Sequence, residues 1–169
     1  MKWEKPQVAP DEVRELSSTY NIDLLSAAIL ARRGVTDSGD IVYFLEDDPA
    51  YLHSPFLFDE MDDVVDRILM ARSEGEKVLV FGDRDVDGIT STVLMVLTLR
   101  ELGVETHWAV PMGDDPYGLT VEAVERYAAK DVTLIITVDC GTTNHAEIER
   151  AAELGMDTIV IDHHNPREL

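Results

Sequence analysis

The stretch KVLVFGDRDVDG, residues 77–88, decides the fold class and indicates the chemistry. Its first half is mainly apolar and predicts a buried strand, and its second half delivers three aspartates directly after that strand. Two later segments repeat the arrangement: Thr133–Val138 runs into Asp139-Cys140-Gly141, and Thr158–Ile161 runs into Asp162-His163-His164. Carboxylates and imidazoles at the carboxyl ends of three strands predict a metal site.

Strands and helices alternate through residues 59–169, which predicts one α/β domain. An amphipathic helix begins near Asp59, because apolar side chains recur at helical spacing from Met61 to Leu69. The continuously apolar strands favour a parallel sheet with helices on both faces. The elements that follow the first helix are predicted at Lys77–Phe81, Ile89–Leu102, Thr106–Val110, Thr120–Ala129, Thr133–Val138, Asn144–Leu154 and Thr158–Ile161. We expect Asn144 and Glu147 to form a capping box.

Residues 1–58 are predicted to form a separate helical segment and a proline-containing loop. The helices are expected at Asp11–Tyr20, at Ile22–Arg33 with Asn21 as its cap, and at Ser38–Leu45. Gly34 should end the second of these helices.

Composition restricts the partners and the compartment. The chain has 169 residues, with 34 acidic against 14 basic side chains and a net charge of −20. Such a surface repels phosphate chains unless bound cations neutralise some of the acids. The single cysteine, Cys140, is expected to be a small core residue, and the lack of a disulfide framework or an apolar leader predicts a cytoplasmic protein without a membrane contact.

The three aspartates of the first motif favour metal binding over purely structural roles. If residues 83–87 continue extended, Asp83, Asp85 and Asp87 lie on one side of the chain, where they repel one another without a cation. An EF-hand loop is excluded, because its twelfth position would be Leu94 and the motif follows a strand. Helix capping would account easily for one of these aspartates, but it accounts poorly for acids and histidines at the ends of three strands. With imidazole added, the set favours two Mn²⁺ or Mg²⁺ ions, which at a separation of about 3.5–4 Å clamp a phosphate and activate water.

These motifs carry a resemblance to a known family. Asp162-His163-His164 resembles the signature of the DHH phosphoesterase superfamily, and GDRDVDGITST at 82–92 resembles its first motif in the form found in RecJ-type exonucleases. TVDCG at 137–141 resembles the second motif, and Tyr117-Gly118-Leu119 resembles a further landmark. The resemblance implies a manganese- or magnesium-dependent phosphodiesterase that degrades single-stranded DNA from 5′ to 3′ in DNA repair and recombination.

The resemblance also implies a role for each site residue. Asp85 would hold one metal ion and Asp87 the other, with Asp139 bridging them. Asp83 would support the first metal ion, and His163 would complete the ligands of the second. His164 would face the scissile phosphate, and Asp162 would support the ligands from behind. Arg84 and Ser91 are candidate substrate contacts. Arg84 stands where the family usually has tyrosine, and it could equally form a surface ion pair.

Length is the largest departure from the family pattern. Family members continue to a fourth metal-binding aspartate and a second substrate-gripping domain, whereas this chain ends five residues after His164. The resemblance therefore implies an amino-terminal fragment that is inactive by itself. Two other functions stay open: a DHH phosphodiesterase for oligonucleotides or cyclic dinucleotides, and a non-catalytic scaffold of the same fold at the replication fork.

Overall fold

A computed structural model describes residues 7–165 and separates the chain into two compact units, Met1–Leu57 and Phe58–Leu169. The division falls one residue from the boundary predicted between residues 58 and 59. Within residues 7–165, no helix combines the length and the apolar character needed to cross a membrane.

The first unit is helical. Its α-helices are α1 (Pro10–Tyr20), α2 (Leu24–Arg32) and α3 (Ser38–Leu45), and two short 3-10 helices follow at Pro49–Tyr51 and Pro55–Leu57. A small apolar core joins the three α-helices through four buried side chains, Leu16, Ala27, Ala31 and Ile41. The predicted bounds of α3 are confirmed.

The cap predicted for α2 is wrong. Asn21 lies at the carboxyl end of α1 in the left-handed conformation, with φ 52°. Asp23 caps α2 instead, because its carboxylate accepts hydrogen bonds from the Leu25 and Ser26 amides at 2.8 and 3.0 Å. Gly34 has φ +74° and follows Arg33, the C-cap of α2, which confirms its predicted role in ending that helix.

The second unit contains a four-stranded sheet whose order is β2-β1-β3-β4. Every neighbouring pair of strands is parallel, which confirms the predicted α/β fold with a parallel sheet. The elements in chain order are α4 (Met61–Glu74), β1 (Lys77–Gly82), α5 (Val86–Glu101), β2 (Glu105–Ala109), α6 (Val121–Ala128), β3 (Val132–Val138), α7 (His145–Glu153) and β4 (Asp157–Ile161).

Alternate side chains of the central strands build two apolar layers, one on each face of the sheet. Leu79 and Phe81 of β1 pack in a cluster with buried side chains of α6 and α7. Val78 and Val80 pack on the opposite face, in a cluster that includes side chains of α4 and α5. Both faces of β1 are therefore covered by helices, as its apolar sequence predicts.

The partly buried guanidinium of Arg67 connects α4 to Glu76, just before β1, and to the start of β4. Arg67 donates two hydrogen bonds to the Glu76 carboxylate at 2.8 and 3.2 Å and a third, from Nε, to Asp157 of β4 at 2.7 Å. The side chains of Arg67 and Glu76 are only 16% and 13% exposed. Two-point contact between a guanidinium and a carboxylate at such a site fixes the orientation of both groups.

The strand order creates the crevice in which the strand-end motifs meet. Successive strands run outward from β1 in one direction and from β3 in the other, so the chain changes direction between these two neighbours. Ligands of open parallel sheets bind at such a point, beyond the carboxyl ends of the strands. Gly82 is paired with Val138, and Val138 with Ile161. The residues that follow, Asp83, Asp139 and Asp162, therefore leave the sheet side by side.

Candidate metal centre

Three carboxylates converge beyond β1 and β3. One oxygen from each of Asp83, Asp85 and Asp139 lies within 4.8 Å of the others, a spacing that a single cation can span. Asp83 and Asp139 are each only 6% exposed, so their charges are largely removed from water. Convergence of carboxylates in such a position is costly without a bound cation.

The backbone after β1 departs from the extended path predicted for residues 83–87. Helix α5 begins at Val86, and Asp85 is its cap, with its carboxylate accepting a hydrogen bond from the Gly88 amide at 3.0 Å. A Cβ atom added at Gly88 would lie 2.5 Å from the backbone nitrogen and oxygen of Asp83, so this first turn packs directly on the strand end. Asp87 consequently lies on the first turn of α5, outside the Asp83–Asp85–Asp139 group.

A second group of possible ligands shares Asp139. Ligand atoms of Asp139, His163 and His164 also lie within 4.8 Å of one another. His163 Nε2 is 2.9 Å from Asp139 Oδ1 and 3.8 Å from the Asp87 carboxylate, so Asp87 borders this second group. Asp139 is thus the one residue that belongs to both groups, the position that a bridging ligand would occupy.

Two buried oxygens of the site lack a hydrogen-bond partner. Asp83 Oδ1 and Asp139 Oδ2 are inaccessible to water and accept no hydrogen bond from any of residues 7–165. Buried polar atoms are nearly always paired, and an unpaired carboxylate oxygen is the group to which a hard divalent cation binds. Burial, with the nearby charges of Asp85 and Asp87, raises the pKa of Asp139 against the opposing His163 hydrogen bond. The ligand set therefore fits Mn²⁺ or Mg²⁺.

Asp162 supports His164 from behind the site. Its carboxylate accepts hydrogen bonds from the Thr142 amide at 3.0 Å, the His164 amide at 3.0 Å and His164 Nδ1 at 2.8 Å. Burial acts to raise the pKa of Asp162, but the hydrogen bonds from Thr142 and His164 hold it below the usual value. Because an ionised carboxylate only accepts, His164 Nδ1 carries the proton, which leaves Nε2 as the nitrogen free to act. The same hydrogen bond raises the pKa of His164.

Tyr117, for which the sequence predicts no role, reaches this site with its side chain. Its hydroxyl donates to the Asp139 carbonyl at 3.1 Å and lies 3.3 Å from His164 Nδ1. Burial, followed by the charge of Asp162, raises the pKa of Tyr117 to about 12, so the hydroxyl keeps its proton at neutral pH. Its position in the loop after β2, a further strand end, was the available signal.

The two predicted substrate contacts lie in different surroundings. Ser91 lines a cavity of about 210 Å³ together with Asp87, Asp139 and His163. The Arg84 guanidinium donates to the backbone carbonyls of Gly113, at 2.7 Å, and of Asp115, and its contact with the substrate stays a prediction. Within residues 7–165, Arg84 forms no ion pair, so the alternative of a surface ion pair is not supported there.

Two further predictions concern the residues around Asp139. Cys140 is fully buried, and burial raises the pKa of its thiol to about 12, so the prediction of a core residue is confirmed. The capping box predicted at Asn144 is wrong. The Asn144 side chain accepts no hydrogen bond from an α7 amide. Its Oδ1 accepts from the Leu119 amide at 3.2 Å, and its Nδ2 donates to the Leu119 carbonyl at 3.0 Å and to the Glu147 carboxylate at 3.1 Å.

Comparison with known protein families decides the classification. The model of the DHH family, N-terminal domain, matches residues 77–169, which contain every candidate ligand described above. The chain belongs to the DHH family. Among curated DHH relatives, the single-stranded-DNA-specific exonuclease RecJ of Bacillus subtilis is 35% identical over 167 residues, 98% of this chain and 21% of that protein. RecJ of Escherichia coli is 43% identical over 108 residues, 63% of this chain and 19% of that protein.

Solved structures of DHH proteins show the same fold. RecJ of Thermus thermophilus in complex with Mn²⁺ superposes with a TM-score of 0.65 at 28% identity, covering 94% of this chain and 22% of that one. A RecJ exonuclease bound to manganese superposes with a TM-score of 0.59 at 36% identity, covering 63% of this chain and 28% of that one. The chain therefore spans about a fifth to a quarter of the length of these relatives.

Proposed function

We propose that the chain is the metal-binding part of a RecJ-type nuclease that hydrolyses single-stranded DNA from the 5′ end in repair and recombination. The observation that carries this proposal is the position of Asp139, which belongs to both candidate ligand groups and has a buried oxygen without a partner. The similarity to single-stranded-DNA-specific exonucleases supports the substrate class.

The residues of the centre divide into two sets of ligands for two Mn²⁺ or Mg²⁺ ions. Asp83 and Asp85 would hold one ion, Asp87 and His163 the other, and Asp139 both. Bound ions supply charge neutralisation for the phosphate and a water of lowered pKa. They also cancel part of the net charge of −20, which otherwise opposes the approach of a DNA strand.

His164 is the residue proposed to act on the phosphate. Its Nδ1 is held by Asp162 at 2.8 Å, and the raised pKa of the ring keeps it protonated at higher pH than a free histidine. The Nε2–H group is therefore the one that can donate to a phosphate oxygen or to the leaving oxygen. Ser91, in the cavity beside His163 and Asp87, is proposed to contact the strand being cut.

The proposal is tested by transplanting the chain into its B. subtilis relative, in place of the 167 residues that it matches there. The chimera should digest 5′-labelled single-stranded DNA only with Mn²⁺ or Mg²⁺ present, and should leave duplex DNA intact. Asp139→Asn in the chimera should abolish digestion. Digestion that persists in this variant, or in excess chelator, would contradict the proposed centre. Faster turnover of dinucleotides than of long strands would change the substrate class.

A further inference from the structure

Asp139 occupies a backbone conformation that needs outside support. Its φ of 59° lies in the left-handed region, which non-glycine residues adopt only at a cost. Its amide donates to the Ile161 carbonyl at 2.9 Å, so β4 holds one side of the residue. The orientation of its carboxylate depends on a second contact as well, at the Asp139 carbonyl.

The Tyr117 hydroxyl provides that second contact. It donates to the Asp139 carbonyl at 3.1 Å, across 22 residues of sequence, and its ring meets the His164 ring edge-on with centroids 5.9 Å apart. One phenol thus touches the backbone of the shared carboxylate and the side chain proposed to act on the phosphate. No other side chain of the described residues 7–165 donates a hydrogen bond to the Asp139 carbonyl.

The loop that carries Tyr117 is itself fixed to the domain. The buried Asn144 side chain binds the Leu119 amide and carbonyl, as a neighbouring strand would. Gly118 has φ +80°, and a Cβ atom there would lie 2.7 Å from Asn144 Oδ1, so the loop packs closely on that amide. Tyr117 therefore approaches Asp139 from an anchored backbone, two residues from the Asn144 contact.

We propose that Tyr117 is a positioning residue of the metal centre, which aims the Asp139 carboxylate at both ligand groups by holding the Asp139 carbonyl. The inference rests on the proposed function, because it gives Tyr117 a part in the same centre. Groups that orient metal ligands typically change metal affinity about 10–100-fold when removed. The Tyr117 contact reaches the ligand through its backbone, so we expect the lower end, about tenfold.

The test is Mn²⁺ titration calorimetry of the wild-type chain, Tyr117→Phe and a matched control, Tyr127→Phe. Tyr127 also donates its hydroxyl to a backbone carbonyl, that of Trp108 at 3.3 Å, but touches none of the proposed ligands. Tyr117→Phe should bind Mn²⁺ about tenfold more weakly than wild type, whereas Tyr127→Phe should bind it equally well. Equal affinities for the two variants would overturn the inference.

A second measurement needs no metal. In the metal-free chain, the carbonyl ¹³C resonance of Asp139 should move upfield in Tyr117→Phe, because a hydrogen bond to that carbonyl is lost. An unchanged resonance would remove the contact on which the inference stands. Failure of the proposed function gives a different result. The wild-type chain would then bind no Mn²⁺, or would bind it with an affinity that Asp139→Asn does not change.

Discussion

Asp139→Asn should stabilise the metal-free chain while abolishing stabilisation by Mn²⁺. The substitution keeps the shape of the side chain and an oxygen for the 2.9 Å contact with His163 Nε2. It removes a negative charge that is 6% exposed, faces Asp83 and Asp85, and has one oxygen without a partner. The amide carries no charge, so it avoids the desolvation of a buried carboxylate and its repulsion by Asp83 and Asp85. The desolvation penalty of a buried polar group is about 1–3 kcal/mol, and we expect a gain of that order in the free energy of unfolding.

The pH dependence of this gain has a definite sign. Burial raises the pKa of Asp139 above its ordinary value of 3.8. A carboxyl with a raised pKa in the folded state favours folding fully below 3.8, and this contribution is lost as pH rises through the folded-state pKa. The advantage of Asp139→Asn over wild type should therefore be present at neutral pH and should shrink towards pH 3.8.

Thermal unfolding in chelator and in Mn²⁺ measures both effects. For a domain of this size, each kcal/mol shifts the midpoint by about 2–4 °C. At a Mn²⁺ concentration 100 times the dissociation constant, wild type should gain about 2.7 kcal/mol and Asp139→Asn nothing. Asp114→Asn, an exposed aspartate in the loop after β2, controls for the loss of one negative charge. A lower midpoint for Asp139→Asn in chelator, or an intact Mn²⁺ shift, would refute the reasoning.

Further predictions concern residues outside the proposed ligand set. Arg67→Ala leaves the mostly buried Glu76 carboxylate without its guanidinium, so urea denaturation should show a loss of about 3 kcal/mol, and a loss below the error of the method would contradict this. The Arg67 hydrogen bonds lower the pKa of Glu76 against the effect of burial. The stability advantage of wild type over Glu76→Gln should therefore hold above pH 4.5 and disappear as pH falls below it. A difference that is constant with pH would argue against the contact. Gly88→Ala puts a Cβ atom 2.5 Å from the Asp83 backbone. The substitution should lower the free energy of unfolding by about 1–3 kcal/mol, measured by thermal unfolding, and should weaken Mn²⁺ binding. Normal Mn²⁺ affinity would show that binding does not depend on the observed position of Asp83. Arg84→Ala should speed amide exchange in the loop whose carbonyls it binds while leaving Mn²⁺ affinity unchanged, and weaker Mn²⁺ binding would show that this loop contact also supports the metal ligands.

Strand-level features of this chain were predictable from its sequence because they depend on short-range pattern. Apolar runs such as Thr133–Val138 identify buried parallel strands, and the fold then brings their carboxyl ends to one edge. Strand positions alone therefore predict that Asp83, Asp139 and His163 share a site, with no need for any helix–sheet contact. The observed proximity of Asp139 to His163, 2.9 Å between ligand atoms, follows from it.

The errors arose where one residue type serves two structural purposes. An aspartate after a strand can continue the extended chain or cap the next helix, and Asp85 does the latter. The outcome depends on Gly88, whose missing side chain lets the first turn of α5 rest on Asp83. Asn144 was ambiguous in the same way, since its amide can cap α7 or bind a distant backbone, and the Leu119 contact prevails.

The features that no local pattern could supply are those in which the site departs from ordinary stability rules. A left-handed aspartate, two buried carboxylate oxygens without partners and three converging acids all lower the stability of a metal-free domain. Each departure involves Asp139 or Asp83. A cation bound between them would neutralise the converging charges and pair the two oxygens, whereas the left-handed backbone of Asp139 would remain. Functional sites typically combine several features that lower stability, because the arrangement that function requires is not the most stable one. Since the Tyr117 contact holds Asp139 in its unfavourable conformation, the residue matters to the centre even though it offers no ligand.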